Sequence, residues 1–553
     1  MTSNSVESVG AEDSRVPTSA GRQSSVALII GALMLAMLLS ALDQTIVATA
    51  LPTIAGDLGG LNHLSWVVTA YLITSTISTP LWGKLGDLYG RKKLFQISIV
   101  IFLVGSALSG LSQNMTQLIA FRALQGIGGG GLIVGSQSII GDVVSPRERG
   151  KFQGYFGAVF GLASIAGPLL GGFFTDSLSW RWVFYINVPI GILALSAIAA
   201  VLHLPKTSKS HKIDYLGTTL MGTAVTGLIL VTTWGGTTYP WFSPTIIGTT
   251  VAGLFLLVLF LFVESRAAEP LVPLHLFKNS VFSVTSGLGF IVGFAMFGAI
   301  IYLPTYLQTV FGSSPTASGL ELLPLMVGLV GTSIASGQLI TRRGKYKVFP
   351  IFGTALVVVA MYLLSLMTVS TSLFQASIFM LILGLGIGGV MQVLVIVVQN
   401  AVPYEHLGTA TSTATFFRSI GGSFGVAIFG AIFNAQLSKN LRNYLPVSVL
   451  KTLNSGNIAE SPSALDHLPK TIKLGFTQAF SHSLHTVFLV AVPIALIAFI
   501  LSFAIKEVPL RKGAFVDTGA GRPAVGDLGG NSNNTTRTGT VAPKLDSTDS
   551  PDS

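Results

Sequence analysis

About fourteen apolar segments of near twenty residues, separated by short polar joins, constrain the fold of this 553-residue chain more than any other feature. An apolar run of about twenty residues matches the hydrocarbon core of a bilayer when wound as a helix, and a helix satisfies its own backbone polar groups there. The expected class is an all-α polytopic membrane protein. Charged residues are only 10% of the chain, against about 25% in soluble domains, and they gather in the joins. No room remains for a large soluble domain. The 62 glycines suit close helix packing, and the absence of cysteine excludes disulfides and thiolate metal sites. The eight histidines show no ligand arrangement, because His482 and His485 lack a third partner, so neither a metal nor a cofactor is expected. There is no P-loop, which disfavours an ATP-driven pump, and no coherent nucleophile, base and oxyanion set, which disfavours an enzyme.

Ionisable residues inside the spans are the first functional candidates, since a charge in the bilayer is expensive unless it finds a partner or a cavity. Asp43 lies in the apolar run 26–50, before Leu51-Pro52, which is expected to break the helix. It is either a charge near a helix end that bonds locally or a titratable cavity carboxylate. Arg122, in Phe121-Arg122-Ala123-Leu124-Gln125-Gly126, is placed near the outer end of the fourth span, where it either snorkels or enters the cavity. Glu321 has the same two readings, as an interface residue or a second cavity carboxylate. Gln392, Gln399 and Asn400 either line a substrate route or bond between helices. Arg418 pairs with Glu405 or snorkels.

Two glycine patterns carry the gating candidates. The loop Gly83-Lys84-Leu85-Gly86-Asp87-Leu88-Tyr89-Gly90-Arg91-Lys92-Lys93 combines a tight crossing with one acid and three successive bases. The uncharged stretch Gly154–Gly172 puts Gly157, Gly161, Ser164, Pro168 and Gly171 at helical spacing, so that a second backbone can approach one smooth face, with a bend expected at Pro168. The loop spacing returns at Gly337-x-Leu339-x-Thr341-x-x-Gly344-Lys345, with Thr341 where Asp87 stood, and Pro403-x-Glu405 echoes Pro146-x-Glu148. The second loop is expected to keep the turn but lack the full switch.

These motifs resemble those of the major facilitator superfamily, and their order over about 25–510 is similar to the fourteen-span drug:proton antiporters of the QacA/EmrB subfamily. The resemblance rests on Asp43, the loop at 83–93, Arg122-x-x-Gln125-Gly126 and Gly167-Pro168-x-x-Gly171-Gly172. It implies two six-helix halves with two additional central helices at about 214–234 and 244–263. It implies proton coupling through Asp43 and Arg122, to which Glu321 is added as a candidate from its place in an apolar run, and a conformational switch of Gly83, Asp87, Gly90 and Arg91 with Asp142 as partner. It further implies a leak-resistant packing motif of Gly157, Gly161, Gly167, Pro168, Gly171 and Gly172. Asp43, Gln392, Gln399 and Asn400 are the candidate substrate-binding residues. The implied function is alternating-access export of lipophilic or cationic compounds in exchange for protons, and the alternative is export of one endogenous metabolite or cell-envelope lipid. A receptor or scaffold would bind without flux.

Sixteen Lys and Arg residues fall in joins on one side, at 84–93, 147–151, 206–212, 266–278 and 342–347, whereas Arg181 is the exception in the short joins opposite. The net charge of +10 is therefore an orientation signal rather than a nucleic-acid footprint. The expected organisation is a disordered cytoplasmic N-terminus at 1–24, a first half at 25–203, the extra pair within 204–264, and a second half at 265–510 with an external loop at 435–482. A disordered cytoplasmic tail follows at 511–553. The expected setting is a bacterial inner or plasma membrane, with the protein a functional monomer among membrane lipids.

Overall fold

The computed structural model describes residues 19–58, 64–202, 214–236, 238–446 and 469–510. Residues 1–18, the Lys206-Lys209-Lys212 join, residues 447–468 of the expected external loop and the tail from 511 lie outside the described residues. Long apolar runs give long helices: α1 (Ser19–Leu58), α2 (Leu64–Tyr89), α3 (Arg91–Leu111), α4 (Met115–Val143) and α5 (Arg149–Ser177). The short α6 (Trp182–Tyr185) leads into α7 (Asn187–Val201), and α8 (Tyr215–Trp234) and α9 (Pro244–Glu264) follow. The later chain forms α10 (Ser280–Ile300), α11 (Tyr302–Val310), α12 (Pro315–Glu321), α13 (Leu323–Arg343), α14 (Val348–Ser365), α15 (Leu373–Ala401), α16 (Leu407–Tyr444) and α17 (Lys470–Phe503). Thirteen stretches among the described residues are long and apolar enough to cross a membrane. The 26-residue α2 is also long enough, but its Ser/Thr-rich middle with Lys84 and Asp87 makes it more polar than the rest.

Proline positions explain where the helices break. Pro304 and Pro324 stand in the first turns of α11 and α13, where a missing N–H costs nothing, and the breaks fall just ahead at Ile301 and Leu322. The break expected at Leu51-Pro52 does not occur: α1 continues to Leu58, and Asp57 in its last turn accepts from Trp180 Nε1 at 2.8 Å. α5 likewise runs through Pro168. The expected external loop is shorter than 435–482, because α16 reaches Tyr444 and α17 starts at Lys470. Asn440 donates to Ser483 Oγ at 3.0 Å and the Tyr444 hydroxyl meets His482 Nδ1 at 3.2 Å, tying these extensions together. His485 instead meets the Ser365 carbonyl, so the two histidines have separate partners.

The sequence repeat reappears as a packing repeat. In the first part α1 packs on α5, and α2 and α3 on α4; in the second α10 packs on α16, and α13 and α14 on α15. Across the middle, α2 meets α16 and α5 meets α13, again as equivalent pairs. Such a parallel repeat is a common plan for transporters. α8 rests on both α2 and α16, where the two parts join, while the α9 span is only 17% buried and presents Phe255, Val258 and Phe262 outward.

Candidate functional site

Two clusters gather the predicted polar residues. The first lies within the bundle, where Asp43 on α1 is fully buried and Arg122 on α4 is 1% exposed. Arg122 Nη1 donates to Asp43 Oδ2 at 2.6 Å and to Gln125 Oε1 at 2.8 Å, and Gln125 Nε2 donates to Asp43 Oδ1 at 2.8 Å. The i, i+3 spacing of Arg122 and Gln125 puts both on one face of α4, aimed at α1. Asn187 Nδ2, at the start of α7, completes the shell at 3.3 Å from Asp43 Oδ1 and also donates to Ser106 Oγ at 3.0 Å. The Arg122 guanidinium lies over the Tyr71 ring at 4.3 Å, and the Tyr71 hydroxyl meets Ser40 Oγ at 3.1 Å. Arg122 therefore does not snorkel. A buried ion pair of this kind is held only as long as both charges are present: a proton on Asp43 removes the anion and leaves Arg122 needing another partner. Asn187, polar at the head of an apolar span, is a site residue the sequence signals only weakly, and nothing local in the sequence marks Tyr71.

The second cluster joins the ends of α2 and α4 to the start of α16. Gly90, at φ 96°, makes the turn between α2 and α3 that favours glycine, and it brings Arg91 back beside Asp87. Asp87 Oδ1 accepts from Arg91 Nη2 at 2.5 Å and from the Gly408 amide at 3.0 Å; Oδ2 accepts from the Thr409 amide at 2.7 Å and its hydroxyl at 2.8 Å. The carboxylate thus sits at the N-terminus of α16, where unpaired amides and the helix dipole favour an anion. Arg91 Nη1 also pairs with buried Asp142 at the end of α4, and the guanidinium lies 5.1 Å from the Tyr404 ring centroid. Gly83 allows this approach, since a Cβ there would meet Ser412 and stand 2.7 Å from the Gly408 carbonyl.

The equivalent seam between α5 and α13 is built without the acid. Thr341 Oγ1 accepts from the Lys151 amide at 3.2 Å, Gly150 faces the Gly337 backbone, and Arg147 donates to the Thr341 and Arg342 carbonyls at 2.9 Å and 2.8 Å. Arg147 meets the C-terminal end of α13, the end of a helix that favours a cation. A neutral hydroxyl thus stands where Asp87 makes several charge-assisted bonds.

The glycine row on α5 does not form a single face. Gly157 and Gly161 turn to Ser333 and Val330 on α13, whereas Gly167 and Gly171 turn to Thr45 and Thr49 on α1; Gly172 faces open space. Residue 168 is rotated about 100° from 167 and about 60° from 171 around the helix, and Pro168 faces Gly319 on α12 instead. Glu321 is half-buried, and its carboxylate accepts the Ser313 hydroxyl at 2.8 Å; among the described residues it makes no bond to the Asp43 cluster. Gln399 donates to the Gln137 carbonyl at 2.9 Å, and Asn400 to the Val508 and Pro509 carbonyls at 3.3 Å and 3.4 Å, so both amides tie segments together. The Gln392 Oε1 is buried without a partner among the described residues. Arg418 does not pair with Glu405, which is exposed in the 3₁₀ turn ahead of α16 while Arg418 lies about 16 Å further along that helix.

Paired helical repeats and buried ionisable clusters within long apolar helices fit a multi-pass membrane transporter rather than an enzyme. The model of the Major Facilitator Superfamily matches residues 33–426, and the chain belongs to that superfamily. It is 44% identical over 427 residues to the "Multidrug transporter protein MdtP" of Bacillus subtilis, covering 77% of this chain and 78% of the relative. It is 37% identical to the "Multidrug resistance protein 3" of the same organism, covering 88% and 96%. An uncharacterized MFS-type transporter of Mycobacterium tuberculosis is 45% identical, covering 87% and 70%. Among solved structures, the proton:xylose symporter XylE superposes with a TM-score of 0.58 at 15% identity, over 88% of this chain and 97% of that one, which speaks to the fold alone.

Proposed function

We propose that this protein is a proton-coupled antiporter that exports lipophilic or cationic small molecules across a bacterial cell membrane by alternating access. The observation that carries the reading is the buried Asp43–Arg122 pair at 2.6 Å, a single protonatable group whose charge decides whether a buried guanidinium is neutralised. Protonation of Asp43 frees Arg122 from its anion, and deprotonation restores the pair; a helix contact that differs between these states can bias which end of the bundle opens. Both termini are assigned to the cytoplasm, so the end closed by Asp87 and Arg91 is the inner gate. The multidrug names of the two Bacillus subtilis relatives support the substrate class. In this reading residues 25–203 and 265–510 are the rocking halves, the extra helix pair braces their junction, and Gln392 lines the route.

The test is reconstitution in proteoliposomes with pH and electrical gradients imposed independently. Ethidium should move against its gradient when protons flow the other way, and Asp43→Asn should abolish that coupling while inserting normally. Wild-type proton-driven flux through correctly folded Asp43→Asn would remove Asp43 from this role.

A further inference from the structure

In the second half, one half-buried cation within a span has no anion among the described residues. Arg91 pairs with Asp87 and Asp142, and Arg122 pairs with Asp43. Arg418, about 16 Å from the start of α16 at 1.5 Å per residue, makes no hydrogen bond or ion pair among the described residues, although it lies inside a membrane-spanning helix. Its side chain lines a small open-mouthed pocket between α10, α15 and α16, with water-sized room of about 20 Å³ at the head. A guanidinium held at such depth without a counter-charge costs several kcal/mol. It is the kind of group that a ligand completes.

The other polar groups of the cavity define what that ligand must be. The Thr411 hydroxyl donates to the Leu407 carbonyl at 2.7 Å and accepts from Gln399 at 3.2 Å, and Thr415 donates to the Thr411 carbonyl at 2.9 Å. Their protons are already used. Thr285, 1% exposed on α10, is different, because its hydroxyl has no partner among the described residues. What remains unsatisfied is therefore a planar guanidinium fork and one hydroxyl, with Leu394 and Val398 supplying apolar wall. The complement is an anionic acceptor joined to an apolar body. A guanidinium matches a carboxylate in two parallel hydrogen bonds. A lipid headgroup would have to sit more than three helical turns inside the helix end to reach it.

We propose that the cavity between α10, α15 and α16 is a subsite for the carboxylate of a lipophilic acid, held by Arg418 with Thr285. The proposal deepens the exporter reading and rests on it, extending the substrates from lipophilic cations to amphiphilic acids and zwitterions.

The test is equilibrium binding of radiolabelled benzoate and benzamide, an anion and its neutral near-isostere, to the purified full-length protein. Wild type should prefer benzoate by about tenfold or more, the size of a charge-assisted hydrogen-bond pair. Arg418→Gln should erase the preference while leaving ethidium binding unchanged, and Thr285→Val should reduce it severalfold. Equal binding of the two probes by wild type, or an undiminished preference in Arg418→Gln, would overturn the proposal. If Arg418→Gln does not fold, Arg418→Lys decides: it retains the charge but lacks the fork, so the preference should fall severalfold, and full retention counts against the site. Glycerol phosphate displacing benzoate at lower concentration than benzoate itself would assign the site to lipid headgroups and overturn the solute assignment. Proton-driven ethidium flux in the same preparations separates the two ideas. Its absence from wild type defeats the exporter reading, whereas intact flux without benzoate preference defeats the subsite alone.

Discussion

Asp87 on α2 holds the first turn of α16 through Thr409, accepting from its amide at 2.7 Å and its hydroxyl at 2.8 Å. The two residues belong to opposite repeats, so this end cannot open without parting them. Asp87→Asn keeps the side-chain shape but removes the charge that faces both the helix terminus and Arg91. The open population should rise about tenfold or more, given the strength of charge-assisted bonds. The chain has no cysteine, so Ser412→Cys, buried at the same seam, supplies a single thiol for labelling. Faster alkylation in the Asp87→Asn background is expected, and an unchanged rate would show that Asp87 does not hold this end shut.

The Asp43–Arg122 pair makes a different demand, since removing either partner strands a buried charge. Asp43→Asn or Arg122→Gln alone should destabilise the protein by about 3–5 kcal/mol, read as a lowered midpoint of thermal unfolding in detergent. The double variant buries no lone charge and should recover part of that loss. It should not recover proton coupling, because no titratable group remains on α1 at that level. Equal stability of single and double variants would mean that the pair is not coupled.

Much of this architecture is legible in the sequence because the bilayer leaves few alternatives. Apolar length fixed the spans to within a few residues over α8, α9 and α15, where no competing signal intervenes. The ends of α16 and α17 were not legible, because Asn440, Tyr444 and His482 look like loop residues until their partners across the two helices are seen. The loop motif pointed to Asp87 and Arg91, yet nothing local identifies Gly408 and Thr409, more than three hundred positions away, as what Asp87 grips. Glycine spacing located the α5 contact surface. It could not tell which neighbour each glycine meets, since that depends on how α1 and α13 flank the helix.

Outside the spans, His275 provides a pH-dependent contact at the switch end. Its ring meets His406 with centroids 5.1 Å apart. Partial burial, then the neighbouring His406, Lys278 and Lys84, holds its pKa below the ordinary value of 6.5. The unfolded chain therefore binds the proton more readily than the folded one, so the contribution is intact above pH 6.5 and stability is lost as pH falls through that value toward the lower folded pKa. His275→Gln should flatten the acid side of the stability profile while leaving the unfolding midpoint at alkaline pH unchanged. Parallel declines for wild type and variant would assign the acid sensitivity elsewhere.

The two-sided α5 seam separates gating from folding. A Cβ on Gly161 would stand 2.5 Å from Val330 Cγ2, the movable end of a side chain, so Gly161→Ala should be mild. Gly161→Leu drives a branched side chain between α5 and α13, with an overpacking cost of about 1–3 kcal/mol borne by the contact between the repeats. A Cβ on Gly171 meets Thr49 and comes within 2.7 Å of the Ile46 backbone carbonyl on α1, inside the first repeat. Gly171→Leu should therefore lower the unfolding temperature most, whereas Gly161→Leu should raise proton leak and slow efflux of several unrelated substrates together. Gly172→Leu is the control, since no atom lies within 4 Å of the added Cβ, and it should behave as wild type in both assays. Paired proton-flux and thermal-unfolding measurements on the three variants decide the matter. Equal leak from Gly161→Leu and Gly172→Leu would show that the contact with Val330 does not seal the transporter.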